Sequence, residues 1–162
     1  MCLTDAFEQE HPVGEGNDEN RGRTGFAIGP LCTCAHTKTE KKSVGAELVP
    51  AGALYSPRVL VGDTLYISGL QGTDPQTHTL PHDFGQEAKN CLANVGRVLK
   101  DSGMDYANVV SLQIYLVDIA QFQEVNSLYK EYFKSPFPSR TTVQVSKLSL
   151  GSHIEIAAIA RK

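Results

Sequence analysis

Phe137-Pro138-Ser139-Arg140-Thr141-Thr142-Val143-Gln144-Val145 and, shortly after it, His153-Ile154-Glu155-Ile156-Ala157-Ala158-Ile159-Ala160 are two strand-like segments near the end of the chain. Thr141, Val143 and Val145 alternate with Arg140, Thr142 and Gln144, a period of two rich in β-branched residues, so the first stretch reads as a strand. Pro138 cannot donate to a sheet ladder and marks the point where that strand begins. Arg140 therefore stands at a strand entrance on a stiff backbone. In the second stretch both parities are apolar, with Ile154, Ile156 and Ala158 on one side and Ala157 and Ile159 on the other. Glu155 falls near the start of this strand, where an ionised carboxylate needs a partner. A fixed guanidinium beside a placed carboxylate can receive a small anionic substrate, and the rest of the chain is read against that possibility.

Working outward from the first stretch, Lys134-Ser135-Pro136 ends a helix that reads from Phe122 through Val125, Tyr129 and Phe133 at helical spacing. Asp118-Ile119-Ala120-Gln121 supplies its cap pattern. Asn126 is four residues beyond Phe122 on the same face, so its amide either ties down a loop or reaches towards a site. Before it, Val110, Leu112, Ile114 and Leu116 alternate with Ser111, Gln113 and Tyr115 as a strand. Earlier still, Asp83 with Gln86 reads as an N-cap to a helix carrying Ala88, Cys91, Leu92, Val95 and Leu99, with Gly103 as the stop. Val59-Leu60-Val61 and Thr64-Leu65-Tyr66-Ile67-Ser68 flank Gly62-Asp63, a pair suited to a type II′ hairpin. Gly69 and Gly72 then follow the second strand, where glycine lets a ligand approach the backbone closely.

The order is strand, strand, helix, strand, helix, strand, strand. That makes an α+β layer with two helices on one face of a mixed sheet. A last strand apolar on both parities, with helices enough for one face only, points to a second subunit on the other face.

Residues 1–43 are rich in glycine, polar and charged residues with scattered hydrophobics, and read as a disordered extension; the folded domain spans 44–162. Three of the four cysteines lie in that extension, which is not a disulfide framework. Cys32-Thr33-Cys34-Ala35-His36 lacks a second ligand pair at zinc-finger spacing, so no metal site is expected. Cys91 reads as a small core residue. A formal net charge of −3 gives no basic footprint for nucleic acid. The N-terminus lacks the basic and apolar regions of a secretory signal and no apolar run is long enough to span a bilayer, so a cytoplasmic protein is expected.

Taken together, Tyr55, Gly62-Asp63-Thr64-Leu65-Tyr66-Ile67-Ser68-Gly69, Asn126 with Tyr129, Phe137-Pro138-Ser139-Arg140 and Ile154-Glu155-Ile156-Ala157-Ala158-Ile159-Ala160 resemble the Rid family. These are the YjgF-type reactive-intermediate deaminases, also described as translation inhibitor or perchloric-acid-soluble proteins. The resemblance runs from about Val44 to the end. It implies a chorismate-mutase-like subunit assembled as a homotrimer, with a cleft at each subunit interface. It implies hydrolysis of 2-imino acids such as 2-iminopropanoate and 2-iminobutanoate to 2-oxo acids and ammonia, without metal or organic cofactor.

By that resemblance Arg140 binds the substrate carboxylate, Glu155 places the attacking water and moves protons, and Tyr55, Ser68, Gly69 and Asn126 line the cleft. Arg140 suits the task because its planar fork can make two parallel charge-assisted hydrogen bonds to a carboxylate. The other readings stay open: Arg140 and Glu155 as a structural ion pair, Ser68 bonded to a nearby loop, Tyr55 as a packing aromatic. Two positions depart from the family pattern. Thr142 stands where many deaminase members carry cysteine, and Ala157 replaces a second acidic residue. The alternatives to the deaminase are a ribonuclease or translation inhibitor, and a non-catalytic small-ligand-binding or chaperone-like trimer. His153 reads as an exposed strand-start residue.

Overall fold

The computed structural model describes residues 40–45 and 52–162. Their six strands form one mixed sheet. In chain order these are β1 (Lys41–Val44), β2 (Arg58–Val61), β3 (Thr64–Gln71), β4 (Val109–Leu116), β5 (Ser139–Gln144) and β6 (Ile154–Arg161), and in space they lie β1-β2-β3-β6-β4-β5. Only β4 and β5 run parallel, joined by the crossover helix α2 (Phe122–Tyr132), as a parallel pair requires. The helix α1 (Phe84–Asp101) packs on β3 and β6 and against α2. This is the α+β layer expected from the element order. Strand pairing begins three residues earlier than expected: Lys41, Lys42 and Ser43, assigned to the extension, pair with Val61, Leu60 and Val59, ahead of Val44 with Arg58. The rest of that extension, with the Cys32/Cys34/His36 cluster, lies outside the described residues.

Local signals carried most of the elements. Val61 pairs with Thr64 around Gly62-Asp63, and Gly62 takes φ 57° while Asp63 stays at negative φ, as a II′ turn demands. The Asp83 carboxylate accepts from the Gln86 amide at 2.8 Å. At the other end of α1, Gly103 at φ 67° lets the Met104 amide donate to Leu99 and the Gly103 amide to Lys100. That double closure satisfies carbonyls the helix would otherwise leave open. Asp118 caps the short 3-10 turn Ile119–Gln121 rather than α2, whose own N-cap, Gln121, makes no side-chain bond.

The core lies between the helices and one sheet face. Leu92, Val95 and Leu99 of α1 meet Leu65, Leu112, Ile114, Ile154 and Ile156, all fully buried. Cys91 belongs to this core: its thiol donates to the Leu70 carbonyl at 3.1 Å. The expected alternation of β4 fails at its start. Val109 is buried and Val110 half-exposed, because a bulge between Val109 and Ser111 adds one residue against β6 and shifts the parity. Among the described residues the opposite sheet face carries no helix. Tyr66, Ala157 and Ile159 lie on it partly exposed, flanking the β3–β6 seam.

Candidate active site

Strand parity sorts the candidate residues onto opposite faces. Arg140 pairs with Leu112, a core residue, and so points to the helix face. Glu155 alternates with the buried Ile154 and Ile156 and so points to the open face. The sequence-based picture of a guanidinium beside a carboxylate is therefore corrected: within one chain the two are divided by the sheet. They line two clefts that share no residue.

The Glu155 cleft has a volume of about 830 Å³ and includes Tyr55, Ser68, Gly69, Gln71, Ser149 and Leu150. Its geometry comes from a second bulge. Ile67 pairs with Ala158 and Leu70 with Ile156, so three steps along β3 match two along β6, and the extra residue falls at Ser68-Gly69. Gly69 is thus inside the strand, not beyond its end as the sequence suggested. Its missing side chain is what Glu155 needs: a Cβ there would fall on Glu155 Oε1 and lie 2.6 Å from Cδ. The other carboxylate oxygen receives Gln71 Nε2 at 3.4 Å, and the same Gln71 nitrogen reaches the Ser149 carbonyl at 3.0 Å. Ser68 does not aim a free hydroxyl into the cleft. Its Oγ donates to the Ser56 carbonyl at 2.7 Å, which ties down the segment that carries Tyr55. The Tyr55 side chain is exposed at the rim.

The Arg140 cleft, about 450 Å³, is lined by Gln123, Asn126, Tyr129, Lys130, Phe137, Pro138 and Arg140. The guanidinium lies 4.8 Å from the Tyr129 ring centroid and 5.4 Å from that of Phe122. Aromatic faces on a cation hold its plane while leaving its N–H edge available. Among the described residues no carboxylate pairs with Arg140. Two buried hydroxyls beside it, Tyr129 Oη on α2 and Thr142 Oγ1 two residues along β5, have no hydrogen-bond partner. Burial pushes the Tyr129 phenol up from its ordinary value, with Arg140 pulling the other way, so the hydroxyl keeps its proton and can donate. Unpartnered buried polar groups around an unpaired cation mark a place that completes itself with something else. Asn126 is half-buried at the edge of this cleft, with only a 3.4 Å contact from its Nδ2 to Gln123 Oε1.

One residue of this region escaped the sequence reading. Glu87 on α1 is fully buried, and its carboxylate accepts from Ser152, His153 and Ile154, immediately before Glu155. The signal was present, since Glu87 is four residues before Cys91 on the apolar stripe of the helix. His153 is exposed at the strand start as expected, but its Nδ1 lies 2.8 Å from Glu87 Oε2. Among the described residues no three of His, Cys, Asp and Glu gather as a metal cluster, and no helix is long and apolar enough to cross a membrane.

Residues 46–162 match the family described as Endoribonuclease L-PSP. Curated relatives include the 2-iminobutanoate/2-iminopropanoate deaminases of Homo sapiens, 49% identical over 65% of this chain and 78% of that protein, and of Bos taurus, 44% identical over 74% and 89%. Among solved structures, RidA from the Antarctic bacterium Psychrobacter sp. PAMC 21119 aligns with a TM-score of 0.67 and 33% identity, covering 70% of this chain and 92% of that one. TdcF from E. coli with bound serine aligns with a TM-score of 0.65 and 28% identity, covering 68% and 89%.

Proposed function

The chain belongs to the endoribonuclease L-PSP family and is a deaminase of the Rid type, and from that premise we propose that it hydrolyses 2-imino acids such as 2-iminopropanoate and 2-iminobutanoate in clefts shared between subunits. The observation that carries the reading is the guanidinium of Arg140, unpaired among the described residues and laid on Tyr129 and Phe122 with unpartnered hydroxyls beside it. A cation so placed fits a small carboxylate better than a structural counter-ion, which would already be there. Serine bound to the E. coli relative is likewise a small molecule with a carboxylate next to a nitrogen-bearing carbon.

The Arg140 edge takes the substrate carboxylate through two parallel N–H···O bonds, which fixes the orientation of the adjacent C=N carbon. Glu155 holds a water on the other side and accepts its proton as the oxygen adds to C2. The imine nitrogen is protonated, the C–N bond of the resulting carbinolamine breaks, and ammonia leaves as C2=O forms. One water is consumed and one 2-oxo acid and one ammonia are produced, with no change of oxidation state.

Since one chain places Arg140 and Glu155 on opposite sheet faces, the reading needs a second copy whose Arg140 cleft abuts the Glu155 cleft of the first. The face with Tyr66, Ala157 and Ile159, which carries no helix among the described residues, supports such a neighbour, and a closed three-fold assembly is one ring in which every subunit gives and receives one cleft. The test is co-expression of Arg140→Ala with Glu155→Ala. Each variant alone is inactive on imine generated in situ by an amino-acid oxidase. Random mixed assemblies regain about a quarter of wild-type turnover, because about one interface in four unites two intact halves. Absence of recovery in assemblies shown to contain both variants overturns the shared cleft. Wild type that does not exceed spontaneous hydrolysis overturns the deaminase reading.

A further inference from the structure

We propose that Glu87 is a positioning residue for this reaction: a buried carboxylate that sets the place of Glu155 by gripping the backbone just ahead of it. The proposal rests on the reading of Glu155 given above. Glu87 is an acid that burial alone would expel, since an isolated carboxylate in a core is costly. It stays because the His153 and Ile154 amides converge on it, with Ser152 Oγ, whose one O–H is shared with the Ile154 carbonyl at 2.7 Å, and His153 Nδ1 beside them. Oε1 lies 2.8 Å from Ser152 Oγ, 2.7 Å from the His153 amide and 3.3 Å from the Ile154 amide, and Oε2 lies 2.8 Å from His153 Nδ1. Two of these donors are successive backbone amides at the entry to β6. With Ser152 they fix the chain on both sides of His153, and Glu155 is the next residue after Ile154.

The grip extends to the facing strand. A Cβ on Gly72 would fall on the Glu87 carbonyl oxygen, so α1 and the end of β3 meet backbone to backbone at this point. Gly72 directly follows Gln71, whose amide reaches Ser149 and Glu155. The turn Ser149–Gly151 between them carries Leu150 at φ 57°, a left-handed conformation that a leucine holds only when its flanks are fixed. Ser152, one flank of that turn, is held by Glu87. The carboxylate therefore anchors the β6 wall of the Glu155 cleft from behind, without touching the cleft, while the Glu87 backbone packs against the end of β3. A core needs no charge to be stable at this place, and a leucine would fill it; what a leucine could not do is satisfy the two amides and hold them in line.

The test uses the full chain and the in-situ imine assay with Glu87→Gln, Glu87→Ala and wild type. Glutamine offers Oε1 to the same three donors and its Nε2 to the other tautomer of His153. It is expected to keep kcat within about threefold, as the conservative rescue of a positioning contact should. Alanine leaves two buried amides without a partner, and kcat falls by about 10–100-fold while KM, set by Arg140 in the neighbouring subunit, changes less than about twofold. Equal losses in Glu87→Gln and Glu87→Ala, or an alanine variant with wild-type kcat, overturn the proposal. A rise in KM with kcat intact does so too. If Glu87→Ala does not fold, Ser152→Ala and His153→Ala carry the same test on single donors: Ser152→Ala lowers kcat at unchanged KM if the proposal holds, and leaves both unchanged if it does not. Wild type without activity would instead sink the deaminase reading on which all variants are scored.

Discussion

Adding one methyl group at Gly69 should separate the chemistry of the cleft from the stability of the fold. In Gly69→Ala the new Cβ falls on Glu155 Oε1 and 2.6 Å from Cδ. Ordinary carbon–carbon contact is about 3.5–4.0 Å, so the carboxylate must retreat by roughly 1 Å. The obstructing atoms are the end of a flexible side chain, tethered among the described residues by the 3.4 Å contact from Gln71. Rotating it away costs about 0.5–1.5 kcal/mol of rotamer strain and about 1 kcal/mol of hydrogen bonding. Stability should therefore fall by about 1.5–2.5 kcal/mol, a Tm shift of roughly 3–10 °C.

The same 1 Å at the reacting centre should lower kcat by about 10²-fold. Gly72→Ala makes the contrast. There the Cβ meets the backbone of Glu87, 2.7 Å from its carbonyl carbon, and helix backbone cannot rotate aside. Its loss of Tm should be clearly the larger of the two. The assay is thermal unfolding beside imine turnover on both variants. Gly69→Ala with wild-type kcat would refute the idea that Glu155 works from this position. A Tm loss equal to that of Gly72→Ala would refute the claim that its carboxylate is free to move.

Arg140→Lys keeps the charge but loses the fork and the stacking on Tyr129 and Phe122, so KM for the imine should rise by about tenfold or more at a smaller change in kcat; unchanged KM would reject the carboxylate clamp. Burial, helped by nearby Glu87 and Glu155, pushes the Cys91 thiol up from its ordinary value of 9.0. The native thiol should stay inert to disulfide reagents at pH 8 and react on unfolding. Since the folded state holds this proton more tightly, its contribution to stability is complete below pH 9 and declines above it by up to about 1.4 kcal/mol per pH unit, read by denaturant titration at several pH values. Tyr106, pushed up to about 12 chiefly by burial, should add a second decline beginning above pH 10.

Much of the fold was legible because its signals are local. Gly62-Asp63, the Asp83 cap and the Gly103 stop each act within a few residues, and the structure uses all three as the sequence implied. The two bulges were not legible. An extra residue at Val110 or at Ser68-Gly69 shows only once the partner strand is known, because it is a mismatch between two ladders and not a property of either. Arg140 and Glu155 were each recognised, yet their separation by the sheet depended on Arg140 pairing in parallel with Leu112, a long-range fact. Glu87 was overlooked for a different reason. A single acid on an apolar stripe looks like a helix-start charge until the hydroxyl and amides that satisfy it are brought in from residues 65 to 67 positions away.

The early strand β1 has a consequence for how the protein behaves at high concentration. It sets Lys41 and Lys42 along one outer edge of the sheet, covering the ladder of Val59, Leu60 and Val61. Lysines on an edge discourage a second sheet from docking there, since each new pairing would bring like charges together and strip water from both. A shortened chain beginning at residue 46, where the family match starts, would expose an apolar, β-branched border with open amides in its place. Such a piece would fold around the same core and yet precipitate through edge-to-edge growth, so the guard against that growth lies in four residues that the family match leaves out.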